Sequence, residues 1–207
     1  MEIIVLSAGQ SSRMGSDKAL FDIDGNPVII HILNKILKFS NHIYIVLGDN
    51  FDTVKREVQT HFKNSGSISF IHNELHRKGM FSSVQKGFEN VSGKKAVMLQ
   101  LIDQPFISQN VYKELVSKYD PENLITQPSY VKDGIKRGGH PIIFAPEFKD
   151  ILLSYPIDSR LNDVIKDNNE SRKFIEVNDE SILHNLNTKK DFNEKKGGDR
   201  LLVQADS

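Results

Sequence analysis

Short apolar, β-branched runs recur along the chain at 3–6, 43–47, 68–71, 96–101, 124–125 and 142–144, and most are separated by stretches whose apolar residues fall at helical spacing. Between the first two runs, PVIIHILNKILKF begins with Pro27 and carries Ile29, Ile32, Leu33, Ile36 and Leu37 on one face, as a crossover helix does. Further helices are expected at 52–62, 80–91, 109–119, 146–153 and 161–166. The pattern predicts an α/β fold: a doubly wound, mostly parallel sheet with helices on both faces. Residues 129–140, SYVKDGIKRGGH, mix three glycines with charge and read as a functional loop. The end, EKKGGDRLLVQADS, has a glycine pair before a short apolar patch and reads either as a disordered tail or as a docking strand.

Composition narrows the function classes. A chain of 207 residues with 38% hydrophobic content suits one domain with a real core. Its 27 basic and 27 acidic residues balance, so no bulk field gathers nucleic acid or anionic lipid, and any phosphate recognition must be local. The absence of cysteine excludes disulfides, thiolate zinc sites, iron–sulfur clusters and cysteine nucleophiles. No apolar run approaches the roughly 20 residues of a membrane span. The start, MEIIVL, lacks a basic segment before a long apolar core, and the expectation is a cytoplasmic protein.

The first apolar run leads into LSAGQSSRMGSDKAL, residues 6–20. A glycine-containing turn after a strand presents backbone N–H groups at the carboxyl edge of a parallel sheet, where ligands of open α/β folds bind. The spacing is not that of a GxxxxGK[ST] phosphate loop, because Gly15 is the next glycine after Gly9 and Ala19 follows Lys18. The GxGxxG dinucleotide fingerprint is absent too. There remain Gly9, Ser11 and Ser12 for close approach and hydroxyl donation, with Arg13 and Lys18 as cations, a set suited to a triphosphate. A solvated strand-to-helix loop is the other reading.

Three further segments carry chemistry. LQLIDQP ends an apolar strand with Asp103, well placed to hold Mg²⁺ against phosphates or, more simply, to cap the turn before Pro105. Gly79, Met80, Phe81, Ser82 and Ser83 begin an expected helix whose N–H groups and hydroxyls can meet a base or ribose, or merely cap it. GGHP places His140 before an apolar strand, where a lone histidine is as often structural as functional.

LSAGQSSRMGSDKAL resembles the signature LxAGxSxRMGxxK of the nucleotidyltransferases that make activated sugars and cofactors, most closely the molybdenum cofactor cytidylyltransferase branch. GMFSSVQKGF at 79–88, LIDQPFIS at 101–108, GGHPIIF at 138–144 and NLNTKKDF at 185–192 follow in the family's order. The GMxxSxxxG pattern and Ala8 resemble the cytidylyl branch, whereas guanylyl enzymes have LAGG at the first site.

The resemblance implies a Rossmann-like nucleotidyltransferase domain over 1–197, with a nucleotide half near 1–107, an acceptor half near 108–197 and a tail at 198–207. It implies transfer of CMP from CTP to a phosphate-bearing acceptor, molybdopterin carrying molybdenum, with loss of pyrophosphate. A molybdoenzyme or its chaperone would be a further partner. Arg13, Lys18 and Asp103 would be catalytic, and Leu6, Ala8, Gly9, Ser11, Ser12, Arg13, Lys18, Gly79, Ser82 and Ser83 would bind nucleotide. Gly139 and His140 would position the acceptor, and Asp103 with Asn187 would hold Mg²⁺. NLNTKKD departs from the family's D-[IV]-D-T-P-x-D in carrying Asn185, Asn187 and Lys189. A sugar or polyol phosphate acceptor, another nucleotide, and a binding protein without turnover stay open.

Overall fold

β1 (Glu2–Ser7) is buried along its whole length and lies between two parallel neighbours, β4 (His42–Leu47) and β6 (Val97–Leu101). Its side chains alternate: Ile3 and Val5 enter one core, Ile4 and Leu6 the other. A strand apolar on both faces in this way requires helices on both sides. The computed structural model describes residues 1–9, 17–63, 66–186 and 191. Ser11, Ser12, Arg13 and Asn187 lie outside the described residues, as does the tail at 198–207.

On one face pack α1 (Val28–Ile36), α2 (Phe51–His61) and α4 (Gln109–Ser117), through residues such as Ile29, Val54, Val58 and Leu115. On the other pack α3 (Met80–Asn90), α5 (Phe148–Ser154) and α6 (Leu161–Asp167), through Val84, Phe88, Phe148, Leu152 and Val164. The helices expected from the sequence are all present, with ends displaced by one or two residues. Among the described residues no helix is long and apolar enough to cross a membrane.

The sheet has eight strands in the order β10-β7-β9-β6-β1-β4-β5, with β8 paired to β7. β5 (Ile68–His72) runs parallel to β4, and β10 (Arg172–Glu176) parallel to β7 (Ile125–Lys132). β9 (Ile142–Phe144) runs antiparallel to both β6 and β7, and it meets β6 over three residue pairs, Val97–Phe144 to Leu99–Ile142. From β1 the chain builds outward to β4 and β5, then returns to lay β6 on the other side. The carboxyl ends of β1 and β6 thus flank a topological switch point, where open α/β sheets bind ligands.

Residues 129–140 are not an irregular loop. β7 turns into β8 (Ile135–Gly138) through Asp133 and Gly134, with φ of 53° and 74°. Two positive φ values in a two-residue connection make a hairpin turn matched to the twist of its strands, and Asp-Gly is a favoured pair for it. The same chemistry at Asp24-Gly25 closes a small hairpin between β2 (Asp22–Ile23) and β3 (Asn26–Pro27).

Candidate functional site

A cleft of about 340 Å³ opens at the switch point, lined by Leu6, Ser7, Ala8 and Gly9 after β1, Asp17 and Lys18, the 76–83 segment, and Leu101 to Asp103 after β6. Of the residues picked out from sequence, it gathers Leu6, Ala8, Gly9, Lys18, Gly79, Ser83 and Asp103.

Lys18 begins the 3₁₀ turn Lys18–Leu20. Asp17 starts that turn by accepting the Ala19 N–H at 3.0 Å, and Ala19 anchors it in the core with no exposure. Lys18 Nζ thereby comes 4.0 Å from Asp103 Oδ2. Burial pushes the Lys18 pKa below the ordinary lysine value, against attraction from Asp103 and Asp191. Burial likewise raises the Asp103 pKa, against attraction from Lys18. Each charge is thus disfavoured by its surroundings more than its partner compensates, which is the state of a polar site built for a charged ligand.

Asp103 is held by backbone on two sides. The Ile102 N–H donates to Leu6 O at 3.1 Å, carrying the sheet past the end of β6, and the Leu186 N–H donates to Asp103 O at 2.8 Å. Among the described residues its Oδ1 is buried without a hydrogen-bond partner, as is Oδ2 of Asp17. An orphaned carboxylate oxygen facing a cleft fits a cation, and a hard divalent ion prefers such oxygens. Among the described residues no group of three or more histidines and carboxylates stands ready to hold a metal. A metal at Asp103 would therefore draw most of its oxygens from phosphates and water, the habit of Mg²⁺.

The wall opposite is the start of α3. Gly79 precedes it with φ of 116°, a conformation that L side chains rarely adopt, and this brings the chain sharply from the 3₁₀ turn His76–Lys78 into the helix. Ser83 faces the cleft, whereas Ser82 is turned into the protein and donates to the carbonyls of Leu75 and Gly79 at 2.9 and 2.8 Å. His76 and Arg77 also line the cleft, each within 3.2 Å of Asp49 Oδ2. The sequence reading missed Asp17, His76 and Arg77. The His-Arg-Lys run just ahead of Gly79 is visible in the sequence, but its approach to β1 depends on β5 pairing beside β4.

Gly139 and His140 do not line this cleft. A Cβ on Gly139 would meet Ile182 O at 2.3 Å, and the His140 N–H donates to that same carbonyl at 3.2 Å. The His140 Nε2 is enclosed without a partner, and burial pushes its pKa down to about 4. Asn185 Oδ1 accepts from Gln104 Nε2 at 2.7 Å, so the carboxamide that stands in place of the first carboxylate of D-[IV]-D is engaged by the residue after Asp103.

Residues 3–173 match the MobA-like NTP transferase domain. Among curated proteins the chain is 33% identical over 117 residues to the bifunctional protein GlmU of Campylobacter fetus subsp. fetus, covering 56% of this chain and 26% of that protein. The chain thus spans about a quarter of that relative's length. It is 23% identical over 143 residues to the molybdenum cofactor cytidylyltransferase of Escherichia coli, covering 69% of each. Among solved structures, Rv0371c of Mycobacterium tuberculosis H37Rv superposes with a TM-score of 0.78 at 18% identity, over 95% of this chain and 98% of that one. Its complex with manganese superposes with a TM-score of 0.72 at 18% identity, over 93% and 96%. These likenesses to solved structures bear on the fold, a Rossmann-like nucleotidyltransferase sheet.

Proposed function

The chain belongs to the MobA-like NTP transferase family and is a nucleotidyltransferase, and on that premise we propose that it transfers CMP from CTP to a phosphate-bearing acceptor, molybdopterin carrying molybdenum, with release of pyrophosphate. The observation that supports this most is the meeting of Lys18 Nζ and Asp103 Oδ2, 4.0 Å apart, in one cleft at the ends of β1 and β6. The likeness to the cytidylyltransferase of Escherichia coli over 69% of both chains supports the choice of base and acceptor.

In this reading the acceptor's phosphate oxygen attacks the α-phosphorus and the bond to pyrophosphate breaks. Negative charge grows on the α-phosphoryl oxygens and on the leaving group. Lys18 offsets that charge, together with Arg13 beyond the described residues; fixed cations of this kind stabilise the transition state more than the ground state. Asp103, with Asn187 beyond the described residues, would hold Mg²⁺, which supplies further positive charge to the phosphates. Leu6, Ala8, Gly9, Gly79 and Ser83 border the space for base and ribose. Ser82 supports that wall from behind rather than from within the cleft. Gly139 and His140 act on the acceptor half by seating the segment that ends in Leu186 against Asp103.

The test is pyrophosphate release by purified protein with Mg²⁺, molybdenum-loaded molybdopterin and CTP, GTP or UTP in separate reactions. Release with CTP alone is expected. Release with UTP or GTP alone would overturn the base, and release only with a sugar or polyol phosphate would overturn the acceptor.

A further inference from the structure

Asn73 is 2% exposed and sits just past the end of β5, where its N–H donates to Leu47 O at 2.8 Å. Its Oδ1 accepts the Leu75 N–H at 3.0 Å. A backbone N–H can face only an oxygen, so this bond fixes which end of the carboxamide is which. The two hydrogens on Nδ2 then go to Ser82 Oγ at 3.0 Å and Ser83 Oγ at 2.9 Å.

The two serines differ in what they do with their own hydrogen. Ser82 directs it at the carbonyls of Leu75 and Gly79. Ser83 accepts from Asn73, lines the cleft, and finds no acceptor for its hydroxyl hydrogen among the described residues. A hydroxyl with a lone pair tied inward has its one hydrogen left for whatever occupies the cleft.

We propose that Asn73 is a specificity-determining residue: by donating to Ser83 it turns that hydroxyl into a hydrogen-bond donor toward the base of the bound nucleotide. The inference rests on the reading of this cleft as the nucleotide site. It goes further in saying which pyrimidine edge is accepted and which residue decides. Cytosine presents N3 and O2 as acceptors, whereas uracil carries a hydrogen on N3. Uracil still offers O2 and O4 as acceptors, so the proposal is specifically that the Ser83 hydrogen meets the base at N3, where it favours cytosine and where uracil would set hydrogen against hydrogen and leave a buried polar group unpaired.

Asn73→Asp reverses the polarity. With one carboxylate oxygen still held by the Leu75 N–H, the other can only accept, so it draws the Ser83 hydrogen inward and leaves a lone pair facing the cleft. The experiment measures the dissociation constants of CTP and UTP, with Mg²⁺, for wild type, N73D, S83A and the double variant. Wild type is expected to favour CTP by roughly tenfold, N73D to lose or invert that ratio, and S83A to lose it. In the S83A background, N73D should leave the ratio unchanged, because the effect runs through the hydroxyl.

A purely structural role for Asn73 would weaken both nucleotides alike and leave the ratio at its wild-type value; that result in N73D overturns the proposal and leaves the cytidylyl reading standing. A wild type that favours UTP or GTP overturns the cytidylyl reading. In that case a base preference that N73D shifts only when Ser83 is present still supports the role of Asn73, and one that it does not shift overturns it. If N73D fails to fold, N73A is read in the same way, since withdrawing the amide frees the hydroxyl to rotate and brings the ratio toward one.

Discussion

Lys18 Nζ stands 4.0 Å from Asp103 Oδ2, and burial disfavours the charge on both. The pair brings the turn that follows β1 against the end of β6. Asp103 Oδ1 is buried without a hydrogen-bond partner among the described residues. On the proposed function, loss of either group has kinetic consequences.

Lys18→Ala and Asp103→Ala should each lower the rate of pyrophosphate release on the order of a hundredfold or more, as removal of a single charge-stabilising group does elsewhere. Neither side chain packs in the core, so circular dichroism melts should remain cooperative. Near-normal rates in both variants would remove them from the catalytic set.

Binding of Mg²⁺ with CTP should raise the melting temperature of the wild type, because a ligand held by the native state alone stabilises it. Asp103→Asn keeps the shape and loses the charge, and most of that rise should vanish. Equal rises in the two proteins, read by calorimetry across a Mg²⁺ titration, would place the metal elsewhere.

His140 links acidity to folding. Its pKa is lowered by burial from 6.5 to about 4, so the unfolded chain takes up a proton that the folded one refuses. The stability it contributes is complete above pH 6.5 and drains away as pH falls toward 4. The loss is on the order of 3 kcal/mol. His140→Gln should flatten the melting temperature in that window relative to wild type, and an unchanged slope would assign the acid sensitivity to other groups.

Gly139→Ala places a Cβ 2.3 Å from Ile182 O, backbone against backbone, where no side chain can yield. A destabilisation of about 2–4 kcal/mol is expected from such a forced shift. The displaced 182–186 segment carries the N–H that holds Asp103 O, so activity should fall further than stability accounts for. Denaturant midpoints and turnover on the same preparation separate the two effects.

The alternation of period-two and helical spacing was enough to read the sheet and both helical layers, because β1, β4 and β6 are apolar on both faces. It missed strands that owe their place to neighbours. β10, RKFIE, has two apolar residues and becomes a strand by pairing with β7. The β7–β8 hairpin was taken for a loop although Asp133-Gly134 marks its turn, since charge and glycines masked the alternation on either side. In the site, residues close to motif glycines were legible. Asn73 and Gln104 were not, because their meaning lies in partners ten and 81 residues away, Ser83 and Asn185.

The reversed strand β9 divides the molecule's freedom to change. Within the sheet, β1, β4 and β5 meet β7, β8 and β10 through three residue pairs between β6 and β9, and Gln100 and Leu101 run on toward Asp103 without β9 beside them; α3 packs on α5 across the same seam, where Gln85 Nε2 donates to Tyr155 O at 2.7 Å. A change in the β7–β8 hairpin or in β10 therefore reaches Asp103 and its neighbour less along the sheet than through bonds such as the Leu186 N–H to Asp103 O and Gln104 Nε2 to Asn185 Oδ1. Under the proposed function, this arrangement would allow one end of the sheet to be rewritten for a new recipient while the other end keeps its chemistry.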